Sequence, residues 1–327
     1  MSDYFKACVL EQEENKTLLT IRDFAKKDLM EGDVFIKIHY SSFNYKDGLA
    51  ITGKLPVVKT FPMIPGVDFS GTVIESQNPE YKKDDKVILN GWGVGEKHYG
   101  GFSEYARVNG DWLIKMPEFF NFENSMVIGS AGYTAALCVL RILQNIKNNK
   151  SGDILITGAS GGVGCIATHL LSKLGYSVTA LSGKNHDFLF EIGAKKVISR
   201  NEFKISTKPL GSEKWMAAID TVGGDILSTI ISETMYNGIV ASTGLAKSPK
   251  LDMTVFPFIL RNITLSGVDS VYASKVKRIK AWDFLKANTD LNLLEKIKNV
   301  RNLNEIEELA KQITHGKVKG RTVIKII

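Results

Sequence analysis

The residues best placed to do chemistry lie in one run, Ile154-Leu155-Ile156-Thr157-Gly158-Ala159-Ser160-Gly161-Gly162-Val163-Gly164. Positions 159, 161 and 164 keep the spacing of a dinucleotide-binding turn, with Ala159 where the first glycine would stand. An apolar strand feeds the turn and a helix opens from it, so the free N–H groups and positive dipole end of that helix face an incoming anion. The lack of side chains at Gly161 and Gly162 lets a pyrophosphate approach the backbone. A glycine-rich turn that only packs strand on helix is the plain alternative. It is disfavoured by the long strand–helix series in which the turn sits.

The tip of the next strand decides which nucleotide fits. An acidic residue about twenty positions downstream would accept the ribose hydroxyls of NAD. This strand ends instead in Ser182-Gly183-Lys184. A hydroxyl and a cation suit the 2′-phosphate of NADPH, which an acid would repel. Arg200, just past the third strand, offers a second charge. Solvated surface is the ordinary fate of lysine and arginine, but these two fall at consecutive strand ends, and phosphate recognition is the stronger reading.

The elements that must hold these residues alternate regularly. The pattern predicts strands over 153–157, 177–181, 196–198, 216–220, 238–242 and 263–266, with helices over 163–174, 186–192 and 226–235. Six strands with helical crossovers predict an α/β, doubly wound parallel sheet, placed at 124–266. Upstream, short β-type runs such as Val34–Ile38, Gly71–Ile74, Lys86–Leu89 and Glu104–Val108 predict a compact β-rich barrel. A helix is expected from about Asn121 to Leu143. Its low-charge stretch, Met126–Leu140, is too short and too rich in Gly, Ser and Thr for a membrane span, so a buried helix is expected. The tail, with a helix over 274–287 and a strand over 321–327, is expected to rejoin the barrel. The domains predicted are therefore 1–123 with 267–327, and 124–266.

Composition narrows the function classes. A chain of 327 residues, 44% hydrophobic and 24% charged, fits a folded globular protein of about two domains. Cys8, Cys138 and Cys165 are scattered, which argues against a disulfide framework or a Cys-rich metal site. Asp3, Lys6, Glu11, Glu13 and Glu14 interrupt any secretory signal, so a cytoplasmic location is expected, with no membrane partner. The net charge of +7 comes without a Lys/Arg block or a recognisable binding motif. No nucleic-acid partner is expected, and steering of an anionic substrate is the useful role left for the charge.

Taken together, these residues resemble the medium-chain dehydrogenase/reductase superfamily, in its zinc-free quinone oxidoreductase branch. More narrowly, Asn44-Tyr45-Lys46-Asp47, Phe61-Pro62-Met63-Ile64-Pro65-Gly66, Gly91-Trp92-Gly93-Val94-Gly95-Glu96, Phe258-Ile259-Leu260-Arg261-Asn262 and Gly267-Val268-Asp269-Ser270 look like the NADPH-dependent acrylyl-CoA reductases. The resemblance implies a GroES-like catalytic domain, a Rossmann domain inserted before the tail, and a homodimer. Carried over motif by motif, it sets Tyr45, Ser160, Gly161, Gly162, Val163, Ser182, Gly183, Lys184, Arg200, Leu245, Ile259 and Ser270 against NADPH. Zinc-containing relatives carry a cysteine just before the first aspartate and a His-Glu pair after the second Pro-Gly. Here Tyr45-Lys46 precede Asp47, and Val67-Asp68 follow Pro65-Gly66. The five histidines are isolated in sequence, so no metal site is expected.

Without a Lewis acid to hold an alkoxide, reduction of an activated alkene is the easier chemistry. Hydride would reach the β-carbon and a proton the α-carbon, while N–H or hydroxyl donors stabilise the enolate oxygen. Tyr45 is the candidate proton donor, or else orients nicotinamide and substrate, with Asp47 fixing its loop. A packing aromatic and an Asx-type turn are the bland readings of the two. The segment Gly91–Gly101 is read as a substrate-side lid or a long flexible hairpin, with His98 able to face substrate. The expected activity is reduction of a short α,β-unsaturated acyl-CoA, most simply acrylyl-CoA to propionyl-CoA. An NADPH:quinone oxidoreductase is the alternative, and a non-enzymatic NADPH-binding redox sensor the second.

Overall fold

The computed structural model describes residues 3–14, 16–147, 149–183 and 186–327. They form two compact units, one built from Met1–Ser130, Ser270–Lys286 and Asp290–Ile327, the other from Ala131–Asp269 and Ala287–Thr289.

The first unit begins with an antiparallel ladder of β1 (Tyr4–Glu13) and β2 (Lys16–Ala25). Phe5, Ala7 and Val9 of β1 alternate onto one face and pack with Phe24, Phe35 and Ile64. There follow β3 (Val34–Phe43), α1 (Tyr45–Thr52), β4 (Asp68–Ser76), β5 (Lys86–Asn90), β6 (Tyr105–Val108) and β7 (Leu113–Lys115). Val34, Ile36 and Ile38 of β3 are fully buried with Phe69, Val73, Val87 and Leu89, which makes the apolar centre of this half.

The chain passes from the first unit to the second through α2 (Phe122–Ile146), which is interrupted at Gly129 by φ 49° and ψ −160°. By length and composition α2 could cross a membrane, but most of it is buried inside the protein, as in a core helix.

In the second unit β8 (Asp153–Thr157), α3 (Gly162–Lys173), β9 (Ser177–Ser182), α4 (His186–Glu191) and β10 (Lys196–Ser199) alternate strictly. β11 (Trp215–Asp220), α5 (Gly224–Ser232), β12 (Thr234–Ser242), α6 (Phe256–Arg261) and β13 (Thr264–Gly267) complete it. The described residues form a six-stranded, all-parallel sheet in the order β10-β9-β8-β11-β12-β13. Ile154, Leu155 and Ile156, and Ala217 through Ile219, are fully buried, which is why these strands read as unbroken apolar runs rather than alternating ones. One expectation needs correction. The helix predicted over 226–235 stops at Ser232, and β12 starts at Thr234, four residues early. A register shift between β11 and β12 makes this possible, since Trp215 pairs with Thr234 but Ala217 already pairs with Ile239.

The remaining elements are α7 (Lys275–Asn288), α8 (Leu291–Ile297), β14 (Lys298–Asn302), α9 (Ile306–Thr314) and β15 (Arg321–Lys325). β14 and β15 enter a seven-stranded sheet in the order β14-β15-β3-β4-β5-β7, with β6 paired to β3. The tail therefore supplies strand as well as helix to the first unit. α9 buries Ile306, Leu309 and Ala310 and packs against α1 so closely that a Cβ on Gly48 would strike Ile313.

Candidate active site

On the second unit the glycine turn is built as its chemistry requires. Gly161 N-caps α3. Its own N–H donates to the Gly158 carbonyl at 2.9 Å, and its carbonyl accepts the Cys165 N–H at 2.9 Å. The amides of Gly162, Val163 and Gly164 thus stand in the first turn of α3, where no carbonyl of the helix can reach them. Ser160 Oγ lies 3.0 Å from Ser182 Oγ, both buried, which ties the turn to the tip of β9. The Arg200 N–H donates to the Ser182 carbonyl at 3.0 Å. Its guanidinium lies flat on Gly183, where a Cβ would stand only 3.2 Å from Arg200 Cζ. A hydroxyl, a bare backbone and a planar cation therefore meet at the carboxyl ends of β9 and β10. Lys184, the other cation read from the sequence, lies outside the described residues.

Two other sequence-predicted residues of this unit stand elsewhere. Leu245 lines an open cavity of about 350 Å3 with Gly223, Ser242, Thr243 and Val268, beyond the carboxyl ends of β11 and β12. Ile259 stands on α6 with 68% of its surface exposed. Sequence reasoning missed Asp220. It is fully buried, accepts the Thr157 hydroxyl and the Gly223 N–H at 2.8 Å each, and so fastens the ends of β8 and β11. Burial holds its carboxyl above the usual carboxylate range. An acid closing an otherwise apolar strand was the available signal.

On the first unit, Tyr45 opens α1 and is 38% exposed, while Asp47 two residues later is buried. The Asp47 carboxylate accepts the Asn44 N–H at 2.8 Å and the Val67 N–H at 3.2 Å. That is the reciprocal half of a capping box, and it fixes where α1 begins. Burial, and after it the nearby Asp68 carboxylate, push Asp47 up to about 7.

Asp68 itself is fully buried and lies in a cluster with little signature in the sequence. Its carboxylate accepts the Ser42 N–H at 2.8 Å, the Ser42 hydroxyl at 2.7 Å, the Ser130 N–H at 2.7 Å and the Asn44 amide at 3.3 Å. Arg321, from β15, donates to Ser42 Oγ at 2.8 Å, to Asn44 Oδ1 at 3.3 Å and to the Val127 carbonyl at 2.8 Å. The break in α2 serves this cluster. A Cβ at Gly129 would overlap Ser42 Oγ and lie 2.6 Å from an Arg321 Nη. The break also turns the Ser130 N–H onto Asp68.

The Gly91–Gly101 segment is braced rather than loose. The Trp92 N–H donates to the Val271 carbonyl at 2.9 Å, Lys46 pairs with Glu96 at 2.8 Å, and the Gly100 N–H donates to the Ile64 carbonyl at 2.7 Å. Arg278, 2% exposed, lies 4.6 Å from the Trp92 ring centroid and donates to the carbonyls of Asn90, Ala273, Ser270 and Val271. Ser270 is thereby held through its backbone. His98 has one ring nitrogen 3.1 Å from the Glu31 carbonyl and the other 3.2 Å from the Tyr99 carbonyl, and whichever nitrogen carries the proton donates to the carbonyl it faces. The flexible-hairpin expectation gives way to a fastened loop.

The chain is similar to known proteins along its whole length. The alcohol dehydrogenase GroES-like domain family matches residues 30–118, and the zinc-binding dehydrogenase family matches residues 162–287. The chain is 45% identical over 323 residues to a probable acrylyl-CoA reductase of Escherichia coli, covering 98% of this chain and 99% of that one. It is 38% identical over 332 residues to a putative quinone oxidoreductase of Bacillus subtilis, covering all of both. An oxidoreductase of Salmonella enterica solved in complex with NADP superposes with a TM-score of 0.96 at 44% identity, over 98% of this chain and 100% of the other. The Bacillus subtilis protein yhfP, solved with NAD bound, gives 0.95 at 38% identity, over 99% and 100%.

The second family's description implies zinc. Among the described residues, no three of His, Cys, Asp and Glu converge as metal ligands. The three thiols are buried, and burial pushes Cys8 and Cys138 up to about 12, away from the thiolate that zinc requires. Among the described residues, the donor set does not fit a zinc centre. From the barrel half and parallel sheet to the full-length likeness, one assignment follows: the chain belongs to the medium-chain dehydrogenase/reductase superfamily, among the acrylyl-CoA reductases and related quinone oxidoreductases.

Proposed function

We propose that the protein reduces the carbon–carbon double bond of a short α,β-unsaturated acyl-CoA with NADPH, most simply acrylyl-CoA to propionyl-CoA, and does so without zinc. The observation that carries this reading is the end-to-end likeness, at 45% identity, to a probable acrylyl-CoA reductase. The strand tip of Ser182, Gly183 and Arg200 supports NADPH as the partner, because a guanidinium beside a hydroxyl is a fork for the 2′-phosphate. The amides of Gly162 and Val163, with Ser160 and Gly161, would hold the pyrophosphate, while Leu245, Ile259 and Ser270 would contact the rest of the nucleotide. Lys184 would add a charge at the phosphate.

When bound, NADPH supplies the hydride that adds to the β-carbon. Tyr45 would give its hydroxyl proton to the α-carbon or orient the acyl group for it, and Asp47 would hold the first turn of α1 in place. The protein would act as a cytoplasmic homodimer; Val255 and Leu260, 63% and 58% exposed, are apolar surface that a second copy would cover.

The likeness over the whole chain to a putative quinone oxidoreductase favours one second reading, hydride transfer to a quinone. Purified protein with NADPH and acrylyl-CoA, crotonyl-CoA or benzoquinone, followed by loss of reduced-nicotinamide absorbance, separates the two. Acrylyl-CoA should be consumed fastest. Consumption of benzoquinone alone would move the assignment to the second reading, and tight NADPH binding with no turnover would mark a redox sensor.

A further inference from the structure

The geometry points to Arg321 and Asp68 as positioning residues that clamp the Asn44 side chain and so aim the Tyr45 that follows it. This rests on the reading that Tyr45 faces the substrate. Asn44 is held from both ends of its amide. A carboxylate only accepts and a guanidinium only donates, so Asn44 Nδ2 must point to Asp68 and Asn44 Oδ1 to Arg321. Ser42 Oγ joins the two charged groups, donating to Asp68 at 2.7 Å and accepting from Arg321 at 2.8 Å. The result is a closed ring of Asp68, Ser42, Arg321 and Asn44. Only one member of that ring is also the N-cap of α1.

Stability alone does not account for the arrangement. Buried ionic groups are often no more stabilising than apolar residues of the same size. This chain nevertheless interrupts α2 at Gly129 to admit the ring, and draws Arg321 from a strand 279 positions away from Ser42. What the ring adds is fixed direction. Asn44 leaves it with φ −114° and ψ 164° and leads straight into Tyr45. α1 is held separately by its packing on α9, with Gly48 against Ile313 and with Ala50 and Ile51 in one apolar cluster with Ile306, Leu309 and Ala310.

Three variants test the inference. Asn44→Ala cuts the link and leaves Arg321, Ser42 and Asp68 joined. Arg321→Lys keeps the charge but cannot span Ser42, Asn44 and Val127 at once. Asn44→Ser keeps an N-capping oxygen, and with it the helix start, while losing the bridge. In each, kcat with the acyl-CoA substrate should fall tenfold or more. The Kd for NADPH should stay within twofold, because the pyrophosphate and the 2′-phosphate would be held by the glycine turn and by the tip of Ser182, Gly183 and Arg200, none of which touches the ring. A loss confined to NADPH affinity, or kcat within twofold of the parent in the Asn44 variants, would overturn the clamp. If Arg321→Lys or Asn44→Ala fails to fold, Asn44→Ser decides. A parent enzyme that consumes no acceptor, or a Tyr45→Phe variant with full activity, sinks the underlying reading instead, so the two failures are told apart.

Discussion

The Asp47 carboxylate meets the Asn44 backbone N–H at 2.8 Å across the first turn of α1, with Tyr45 between them in the chain. That carboxyl is pushed up to about 7 from an ordinary 3.8, by burial first and then by Asp68. Between about pH 4 and pH 7 the folded protein therefore keeps a proton that the unfolded chain releases. Linkage makes this contribution to stability fall as pH rises through that window. Asp47→Asn does not titrate. The melting temperature of Asp47→Asn minus that of the parent should accordingly grow more positive from pH 5 to pH 8, whatever the lost acceptor costs at pH 5. A difference that stays flat with pH would show that Asp47 ionises normally.

Tyr45→Phe removes one oxygen from a side chain that is 38% exposed. If the hydroxyl delivers the proton, kcat should drop by roughly 10² or more, in line with general acid catalysis, while the fold and NADPH binding are kept. Steady-state rates alongside fluorescence titration of NADPH check both halves of the statement.

Nucleotide choice should rest on Arg200 and Gly183. Arg200→Ala removes the charged donor and should weaken NADPH by about 1.5–3 kcal/mol, leaving NADH almost unchanged. Gly183→Val places a branched side chain where even a Cβ would stand 3.2 Å from Arg200 Cζ, and so should push the guanidinium aside. Its effect should mimic Arg200→Ala. Titration of both nucleotides against each variant tests this, and an equal loss for NADPH and NADH would count against it.

Gly129→Ala is predicted to be costly far out of proportion to one methyl group. The backbone there, at φ 49° and ψ −160°, belongs almost exclusively to glycine, and the added carbon would overlap Ser42 Oγ. Strain and overlap together should destabilise the first unit by roughly 2–5 kcal/mol. Urea unfolding followed by tryptophan fluorescence should show an earlier transition.

Arg278→Met keeps the bulk and removes the donors. Four carbonyls, those of Asn90, Ser270, Val271 and Ala273, then lose a charged partner. A loss of about 2–4 kcal/mol is expected, with loosening of the Trp92 segment visible as faster amide exchange over residues 90–93.

The parallel sheet was legible because its strands are buried on both faces and its crossovers are short, so that apolar runs and turn residues alternate cleanly. Trp215–Asp220 is an example, with every residue buried. The tail was harder. α9 has its buried Ile306, Leu309 and Ala310 set among glutamates, lysine and glutamine, and β14 is a polar strand, Lys298–Asn302, whose identity depends on pairing with β15. The local parts of the site, the glycine turn and the Ser182–Gly183 tip, follow from spacing. The Asp68 cluster does not, because Ser42, Asn44, Asp68, Ser130 and Arg321 meet only after the sheet has formed, and long-range meetings of this kind leave no period in the sequence.

β15 lies inside the seven-stranded sheet, between β14 and β3, and it carries Arg321. During synthesis the ribosome therefore releases the six parallel strands of the second unit well before the first unit can close its own sheet. A polypeptide broken off just short of residue 321 would still own all six parallel strands but would lack an interior strand of the other sheet and the guanidinium that donates to Asn44 Oδ1. Such a product would keep the glycine turn and lose the partner that joins Ser42 to Asn44 in the ring, so the side chains around the start of α1 depend on the last strand to be made.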